Sequence, residues 1–319
     1  MFAQKNSINP IFSANDVIDS LVPWYQLAKF LGILPFTVHH KNLKISIIGI
    51  ISTITFYLSF ISTALIFFPN LDNKRQMNQL ISVVDYLWYT VFFLWLFISH
   101  TLNAKNFFNI LKKITDIDIL LKTINIYFSY VNVRKQLIIN LVLIFLTIFT
   151  LQMINVYVAL NFTFSYLNPV IIVHFLTEIL SFFICLKSYT VCNILKERFA
   201  AINKDINDCR KINIYRICRL KTFHNRLCDV CVMLNHVEAA PVMCSLAIMC
   251  FIVLCNIYYT FSHWYNFGDN LMNKCISEFL ICFRFTVFGI ALIPGFVKLS
   301  TEVSFSDFFF FFFFFLSDD

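Results

Sequence analysis

Several ionisable residues lie inside long apolar stretches of this chain, where a charge is costly. Asp85, His174, Glu178 and Arg284 are the clearest cases, and Glu278 is a fifth. A charged side chain at the middle of a bilayer costs roughly 3 kcal/mol unless it faces water or a partner. We therefore predict that Asp85, His174, Glu178 and Arg284 line a polar cavity for a small ligand.

Glu178 and Arg284 could also contact each other. With a rise of about 1.5 Å per helical residue, both lie within roughly 5 Å of the centres of their apolar runs, displaced toward the same side. Two interpretations stay open. The pair either holds two helices in register or forms part of the wall of the predicted cavity.

Cys228-Asp229-Val230-Cys231 has the C-x-x-C spacing of zinc sites and thiol exchange centres. Only His224 and His236 lie near it in sequence, whereas a zinc site needs four ligands, so we interpret the spacing as coincidental. The chain also lacks G-x-S-x-G, H-E-x-x-H and glycine-rich phosphate motifs. No metal, cofactor or enzymatic activity is predicted.

The composition indicates an integral membrane protein. Of the 319 residues, 59% are hydrophobic and 13% are charged, whereas soluble domains carry about 25% charged residues. The formal charge of +7 does not indicate nucleic acid as a partner, because no DNA-binding or RNA-binding motif accompanies it. We therefore predict that the chain is embedded in the lipid bilayer.

Six runs meet the requirement of about 20 mostly apolar residues per spanning helix. Lipid cannot form hydrogen bonds with the unpaired backbone groups at the edge of an open sheet, and the runs are too long for barrel strands. We predict an all-α, polytopic membrane helix bundle over residues 45–298, with a preceding segment 1–44, loops at 101–136 and 190–238, and a low-complexity tail at 299–319. The six runs are Ile45–Phe68, Leu80–His100, Leu137–Leu160, Val170–Tyr189, Ala239–Phe261 and Ile276–Val297.

Lys and Arg residues are divided unevenly between the segments that connect these runs. Twenty fall on one side, with Lys187 counted at the edge of a run, and only Lys74, Arg75 and Lys274 fall on the other. Because Lys and Arg collect in cytoplasmic segments, the N-terminus and both long loops are predicted to be cytoplasmic. The sequon at Asn161 then lies outside, which makes Asn161 a glycosylation candidate.

Residues Phe308 to Phe315 form an unbroken run of eight phenylalanines. The run is too short to span a bilayer and too uniform to pack specifically. We expect that this tail is translated from a pyrimidine-rich intron boundary and that the true last segment is missing from the sequence.

Two stretches carry a resemblance to insect gustatory receptors. Pro23–Phe36 is similar to a short apolar stretch of that family that ends in a Gly-x-x-Pro-Phe turn, and Leu220–Leu227 with Leu234-Asn235 is similar to the region before its fifth span. The resemblance implies seven spans and a tetrameric ligand-gated cation channel, either homomeric or shared with other chemoreceptor subunits. It also implies that Lys196 to Leu234 is a cytoplasmic helical region that takes part in a subunit anchor, with His224, Leu227 and Asn235 as anchor candidates.

The function implied by the resemblance is detection of small-molecule tastants at the plasma membrane of a sensory neuron. An insect odorant receptor shares this topology and mechanism and stays open as an alternative. A G-protein-coupled receptor would need an external N-terminus, and its Asp-Arg-Tyr and Asn-Pro-x-x-Tyr motifs do not occur. A transporter would show repeated halves with broken spans, and the chain has no internal repeat.

Overall fold

A computed structural model describes residues 14–31, 34–39, 42–67, 76–162, 169–208 and 214–266. This part of the chain is almost entirely helical, as predicted, and one short hairpin departs from the all-α expectation. In chain order its elements are α1 (Val17–Phe30), β1 (Phe36–His39), β2 (Asn42–Ile45), α2 (Ile47–Phe67), α3 (Gln76–Lys122), α4 (Tyr130–Phe162), α5 (Pro169–Asp208) and α6 (Ile214–Asn266).

Three helices are much longer than a bilayer is thick. Helices α3, α5 and α6 contain 47, 40 and 53 residues, or about 60–80 Å at 1.5 Å per residue, against a hydrocarbon core of about 30 Å. Most of segments 101–136 and 190–238, which hydropathy alone separates from the apolar runs as loops, therefore continues the adjacent helices. Hydropathy measures how favourably a segment partitions into lipid. It does not detect helices that continue into water, where the same backbone hydrogen bonds form.

Apolar helices account for the predicted runs that the structure describes. Helix α2 covers nearly all of the first run, and α3 contains the second. The sixth predicted run, 276–297, lies outside the described residues. Among the residues whose side chains are described, three stretches are long and apolar enough to cross a membrane: Tyr130–Thr150, Ile179–Ile206 and Tyr215–Ala247.

Helix α1 buries one face against α3 and α4. Asp16 caps it in an extended conformation, and its Oδ1 accepts a hydrogen bond from the Asp19 backbone N–H at 2.8 Å. Its buried residues recur every three or four positions, which places them on a single face of the helix. They are Val17, Ile18, Ser20, Leu21, Trp24, Tyr25 and Ala28. Trp24 and Tyr25 on this face lie beside His100, Lys187 and Glu238 of the neighbouring helices.

A close backbone contact fastens the β1–β2 hairpin to α2. The strands are antiparallel, and the backbone N–H of Ser46, directly after β2, donates to the Pro35 carbonyl at 2.8 Å. Gly49 allows this approach because a Cβ there would lie 2.9 Å from the Pro35 Cα. The Ser52 hydroxyl also donates to the Lys29 carbonyl at 2.8 Å, which ties the end of α1 to α2.

Helix α3 ends in a Schellman motif. The backbone N–H of Ile126 donates to the Leu121 carbonyl and that of Asn125 to the Lys122 carbonyl, both at 3.1 Å. Asn125 adopts the left-handed conformation with φ 67°, which Asn tolerates better than other residues with a Cβ. The motif turns the chain toward α4, whose first residue Tyr130 contacts Asp118 of α3.

Helices α3, α5 and α6 make the main inter-helix contacts of the described bundle. The interior is mostly apolar, with Phe182 and Phe199 among its largest fully buried side chains. Two basic residues, Lys187 and Arg198, belong to the same group. Charged side chains are almost never fully buried without a partner, so these two residues indicate buried polar sites within the bundle.

Candidate functional site: two buried charge clusters

The predicted ligand cavity falls where side chains are not described. Asp85 lies in α3, and His174 and Glu178 lie in α5, but the structure describes only their backbone. Arg284 lies outside the described residues. The cavity and its Glu178–Arg284 contact therefore stay predictions. Asn161 lies in the last turn of α4, and its side chain is likewise not described.

The three anchor candidates lie on α6 but differ in exposure. His224 is 2% exposed and Leu227 is fully buried, whereas Asn235 is exposed. The His224 ring packs edge-on against Phe199 of α5, with 5.3 Å between the ring centroids. His224 and Leu227 thus contact the rest of their own chain, and Asn235 is the candidate that faces outward.

Cys228 and Cys231 lie one turn apart on α6. The Cys228 Sγ is 3.7 Å from the His224 Nδ1. No group of three His, Cys, Asp or Glu side chains that could hold a metal ion occurs among the described residues. The described part of the C-x-x-C region therefore contains a thiol–imidazole contact within one helix.

Lys187 and Glu238 form a buried ion pair between α5 and α6. The Lys187 Nζ donates to the Glu238 Oε1 at 2.5 Å, and the two side chains are 2% and 6% exposed. The Ser188 hydroxyl donates to the Glu238 Oε2 at 2.7 Å. The Lys187 Nζ also lies 3.1 Å from the His100 Nε2 of α3. Because an ammonium group can only donate, Nε2 accepts and the imidazole is neutral.

Aromatic rings complete the surroundings of the Lys187 ammonium group. Its Nζ lies 4.2 Å from the Phe107 ring centroid and 5.4 Å from that of Trp24, within the range of cation–π attraction. Trp24 stacks on Phe183 at 4.7 Å, and its Nε1 donates to the Phe183 carbonyl at 3.2 Å. We call Trp24, His100, Lys187, Ser188 and Glu238 the Lys187 node. It joins α1, α3, α5 and α6.

A second cluster surrounds Arg198 of α5. Its Nε and Nη2 donate to the two carboxylate oxygens of Asp118 in α3 at 3.1 and 2.8 Å, and its Nη1 donates to the Ile194 carbonyl at 2.9 Å. Arg198 is 0% exposed and Asp118 is 1% exposed. The guanidinium carbon lies 4.2 Å from the Phe128 ring centroid. The Tyr130 hydroxyl donates to the Asp118 Oδ2 at 2.9 Å.

We call Asp118, Phe128, Tyr130 and Arg198 the Arg198 clamp. It fixes the turn after α3 and the start of α4 to α5. A bidentate Arg–carboxylate pair has a defined geometry as well as a favourable energy. Each of the two clusters pairs one positive with one negative group, so neither leaves an uncompensated buried charge, which would be strongly destabilising.

Partly exposed polar contacts also connect α6 to α5 and to the turn after α3. Arg216 makes a bidentate pair with Asp205 of α5 at 3.0 and 2.6 Å. The Arg219 Nη2 donates to the Thr123 hydroxyl of the turn after α3 at 2.7 Å. These contacts hold the polar ends of α3, α5 and α6 together beyond their apolar parts.

The sequence interpretation did not single out these two clusters. A signal for the Lys187 node was present, because His100 ends one predicted run, Lys187 lies near the end of another, and Glu238 directly precedes a third. Three ionisable groups at the same predicted membrane boundary could have been expected to meet. The Asp118–Arg198 pair had no such signal, since both residues lie in polar segments with many other charges.

A protein-family model described as 7tm chemosensory receptor matches residues 21–305. The chain belongs to this chemosensory receptor family. The match spans both buried clusters and confirms the resemblance to chemoreceptors found at Pro23–Phe36 and Leu220–Leu227. Together with the apolar helices it identifies this chemosensory receptor as a membrane helix bundle. A comparison with curated proteins finds no match.

Proposed function

We propose that this chemosensory receptor is a gustatory receptor subunit that forms a ligand-gated cation channel and responds to small external molecules. Family membership over residues 21–305 carries the proposal. The non-enzyme character of the family and its receptor description favour detection over catalysis. The proposed location is the plasma membrane of a sensory neuron, with the polypeptide crossing the bilayer several times.

The proposed topology places the N-terminus and the long polar ends of α3, α5 and α6 in the cytoplasm. It rests on the twenty Lys and Arg residues on one side against three on the other. On this topology the Lys187 node lies at the inner membrane boundary and the Arg198 clamp lies within the cytoplasm. Asp85, His174, Glu178 and Arg284 then lie toward the outside, where a dissolved tastant can reach them.

The proposed assembly is a tetramer, either of this chain alone or with other chemoreceptor subunits. The polar half of α6 offers an outward face for a neighbouring subunit. Val232 is 70% exposed and Asn235 is exposed as well. We assign the subunit contact to this face, while His224 and Leu227 support it from inside the chain.

Excised-patch recording tests the channel mechanism directly. The full chain is produced in cells, and sucrose, denatonium and bicarbonate are applied as representative sugar, bitter and carbon-dioxide stimuli. A channel gives cation currents in excised patches without GTP, because no soluble second messenger is needed. A response that requires GTP would contradict the channel mechanism and would favour a G-protein-coupled receptor.

A matched pair of variants links the response to the proposed cavity. Glu178→Gln removes a charge from the cavity and should raise the half-maximal stimulus concentration about tenfold, which corresponds to about 1.4 kcal/mol. Asp116→Asn is the control, because it removes one carboxylate at an exposed position on α3, outside the predicted cavity. Equal responses from both variants, at equal surface expression, would remove Glu178 from the ligand site.

Antibody access to an N-terminal tag tests the topology. In intact cells the tag should stay unstained and should become accessible only after permeabilisation. Staining of intact cells would overturn the cytoplasmic N-terminus, and with it the position assigned to the two buried clusters.

A further inference from the structure

A small cavity adjoins the Lys187 node. It lies between α1, α3, α5 and α6, and the residues that line it include Tyr25, His100, Asn103, Lys187 and Glu238. Its volume is about 10 Å³. That is about the smallest space that holds one water molecule, and a water molecule is stable in such a site when it has two to four polar partners.

The Tyr25 hydroxyl is the unusual feature of this cavity. Tyr25 is 3% exposed, and its hydroxyl has no hydrogen-bond partner among the described residues. Burial, and then the negative charge of Glu238, raise the Tyr25 pKa above its ordinary range. The hydroxyl therefore keeps its proton and is available as a donor. A buried donor without a partner loses its hydration and gains nothing in return.

The neighbouring charged groups have unused hydrogen-bonding capacity. An ammonium group has three donors, and Lys187 directs one to Glu238 and one to His100. Each carboxylate oxygen of Glu238 accepts one described hydrogen bond, and a carboxylate oxygen can accept two. The cavity thus brings together an unpaired hydroxyl and an ion pair with remaining donor and acceptor sites.

We propose that the cavity binds one water molecule that bridges the Tyr25 hydroxyl to the Lys187–Glu238 pair. The water accepts a hydrogen bond from the Tyr25 Oη and donates one to the Glu238 carboxylate. This bridge is a polar link between α1 and the α5–α6 ion pair, in addition to the stacking of Trp24 on Phe183.

The direction in which Tyr25→Phe shifts the unfolding midpoint tests the bridge. Without a bridging water, Phe removes an unsatisfied hydroxyl, so the variant should be as stable as the wild type or more stable. With the bridge, the variant loses hydrogen bonds inside a buried network, and we expect the unfolding midpoint of the purified protein to fall by about 2–4 °C. Tyr127→Phe is the matched control, since Tyr127 is 70% exposed, and its midpoint should not change.

A wild-type electron cryo-microscopy map supplies a second measurement that needs no variant. At a resolution at which other buried waters are visible, we expect one isolated peak within hydrogen-bonding distance of the Tyr25 Oη. An empty cavity in such a map, or an unchanged or raised midpoint for Tyr25→Phe, would overturn the proposal. In a Glu238→Gln background the effect of Tyr25→Phe should shrink, because the acceptor of the bridge is weaker.

Discussion

The Lys187 ammonium group donates a 2.5 Å hydrogen bond to the Glu238 carboxylate and thereby joins α5 to α6 inside the bundle. Both side chains are nearly inaccessible to solvent. The attraction within such a pair roughly offsets the cost of taking two charges out of water, but only while both partners are present. The stability of this part of the receptor therefore depends on the pair remaining complete.

Lys187→Met should destabilise the receptor strongly. It leaves the Glu238 carboxylate buried without a cation, and removal of one partner of a buried pair costs about 3–5 kcal/mol. The measurement is the midpoint of heat-induced loss of monodisperse protein in detergent. Lys204→Met is the control because Lys204 is exposed on the same helix. The double variant Lys187→Met/Glu238→Met should recover much of the loss, and a Lys187→Met variant as stable as wild type would contradict the argument.

Arg198→Lys should destabilise the receptor although the charge is kept. Lysine cannot reproduce the two parallel hydrogen bonds to Asp118 together with the bond to the Ile194 carbonyl. We expect a loss of about 2 kcal/mol, in the range of hydrogen bonds to charged groups, measured by the same thermal assay. Arg226→Lys, at an exposed position on α6, should leave the midpoint within error. An equal effect of the two substitutions would argue against a special role of the Arg198 clamp.

Asp118→Asn tests the acceptor side of the same clamp. The amide offers one acceptor oxygen where Arg198 and Tyr130 use two, and it leaves the buried guanidinium group of Arg198 without its buried anion. A loss of about 3–5 kcal/mol is therefore expected. Asp116→Asn is the matched control, because Asp116 lies two residues away on α3 with an exposed side chain. The clamp would be of minor importance if Asp118→Asn had no more effect than Asp116→Asn.

Gly49→Ala tests whether the close contact between α2 and Pro35 matters more for stability than the helix propensity of residue 49. Glycine inside a helix is ordinarily less stable than alanine by about 0.5–1 kcal/mol, so the substitution would stabilise an unconstrained helix. Here the added Cβ would lie 2.9 Å from the Pro35 Cα, and we expect a net destabilisation of about 1–3 kcal/mol. Ile51→Ala, at a position 57% exposed, serves as the control for a small change on α2. A raised midpoint for Gly49→Ala would show that the hairpin does not need this contact.

The charge-swap pair Glu178→Arg and Arg284→Glu tests the predicted contact in the outer half of the bundle. Each single variant places two like charges near each other and should lose surface expression, whereas the double variant restores an opposite-charge pair. Surface biotinylation measures the outcome. Failure of the double variant to recover expression beyond the single variants would count against the pairing.

The sequence by itself determined the membrane class, the helical fold and the family. Long apolar runs force helices because lipid offers the backbone no hydrogen bonds, and the stretches at Pro23–Phe36 and Leu220–Leu227 carried the family resemblance. Where the structure describes both, the positions of apolar runs and helices agree. These properties depend on local composition, so they can be read from neighbouring residues.

Only the tertiary structure decided which buried charges meet. Asp118 and Arg198 are 80 residues apart in sequence, and Lys187 and Glu238 are 51 residues apart. Local sequence does not record such pairings, because they depend on how far the polar ends of α3, α5 and α6 continue as helices and on how these helices pack. Hydropathy places those ends outside the apolar runs, since it measures transfer into lipid and not helical hydrogen bonding. Only the family resemblance predicted helix there, over Lys196–Leu234. The physical reason for the difference is that partition into a membrane is a property of each segment, whereas a buried ion pair is a property of two.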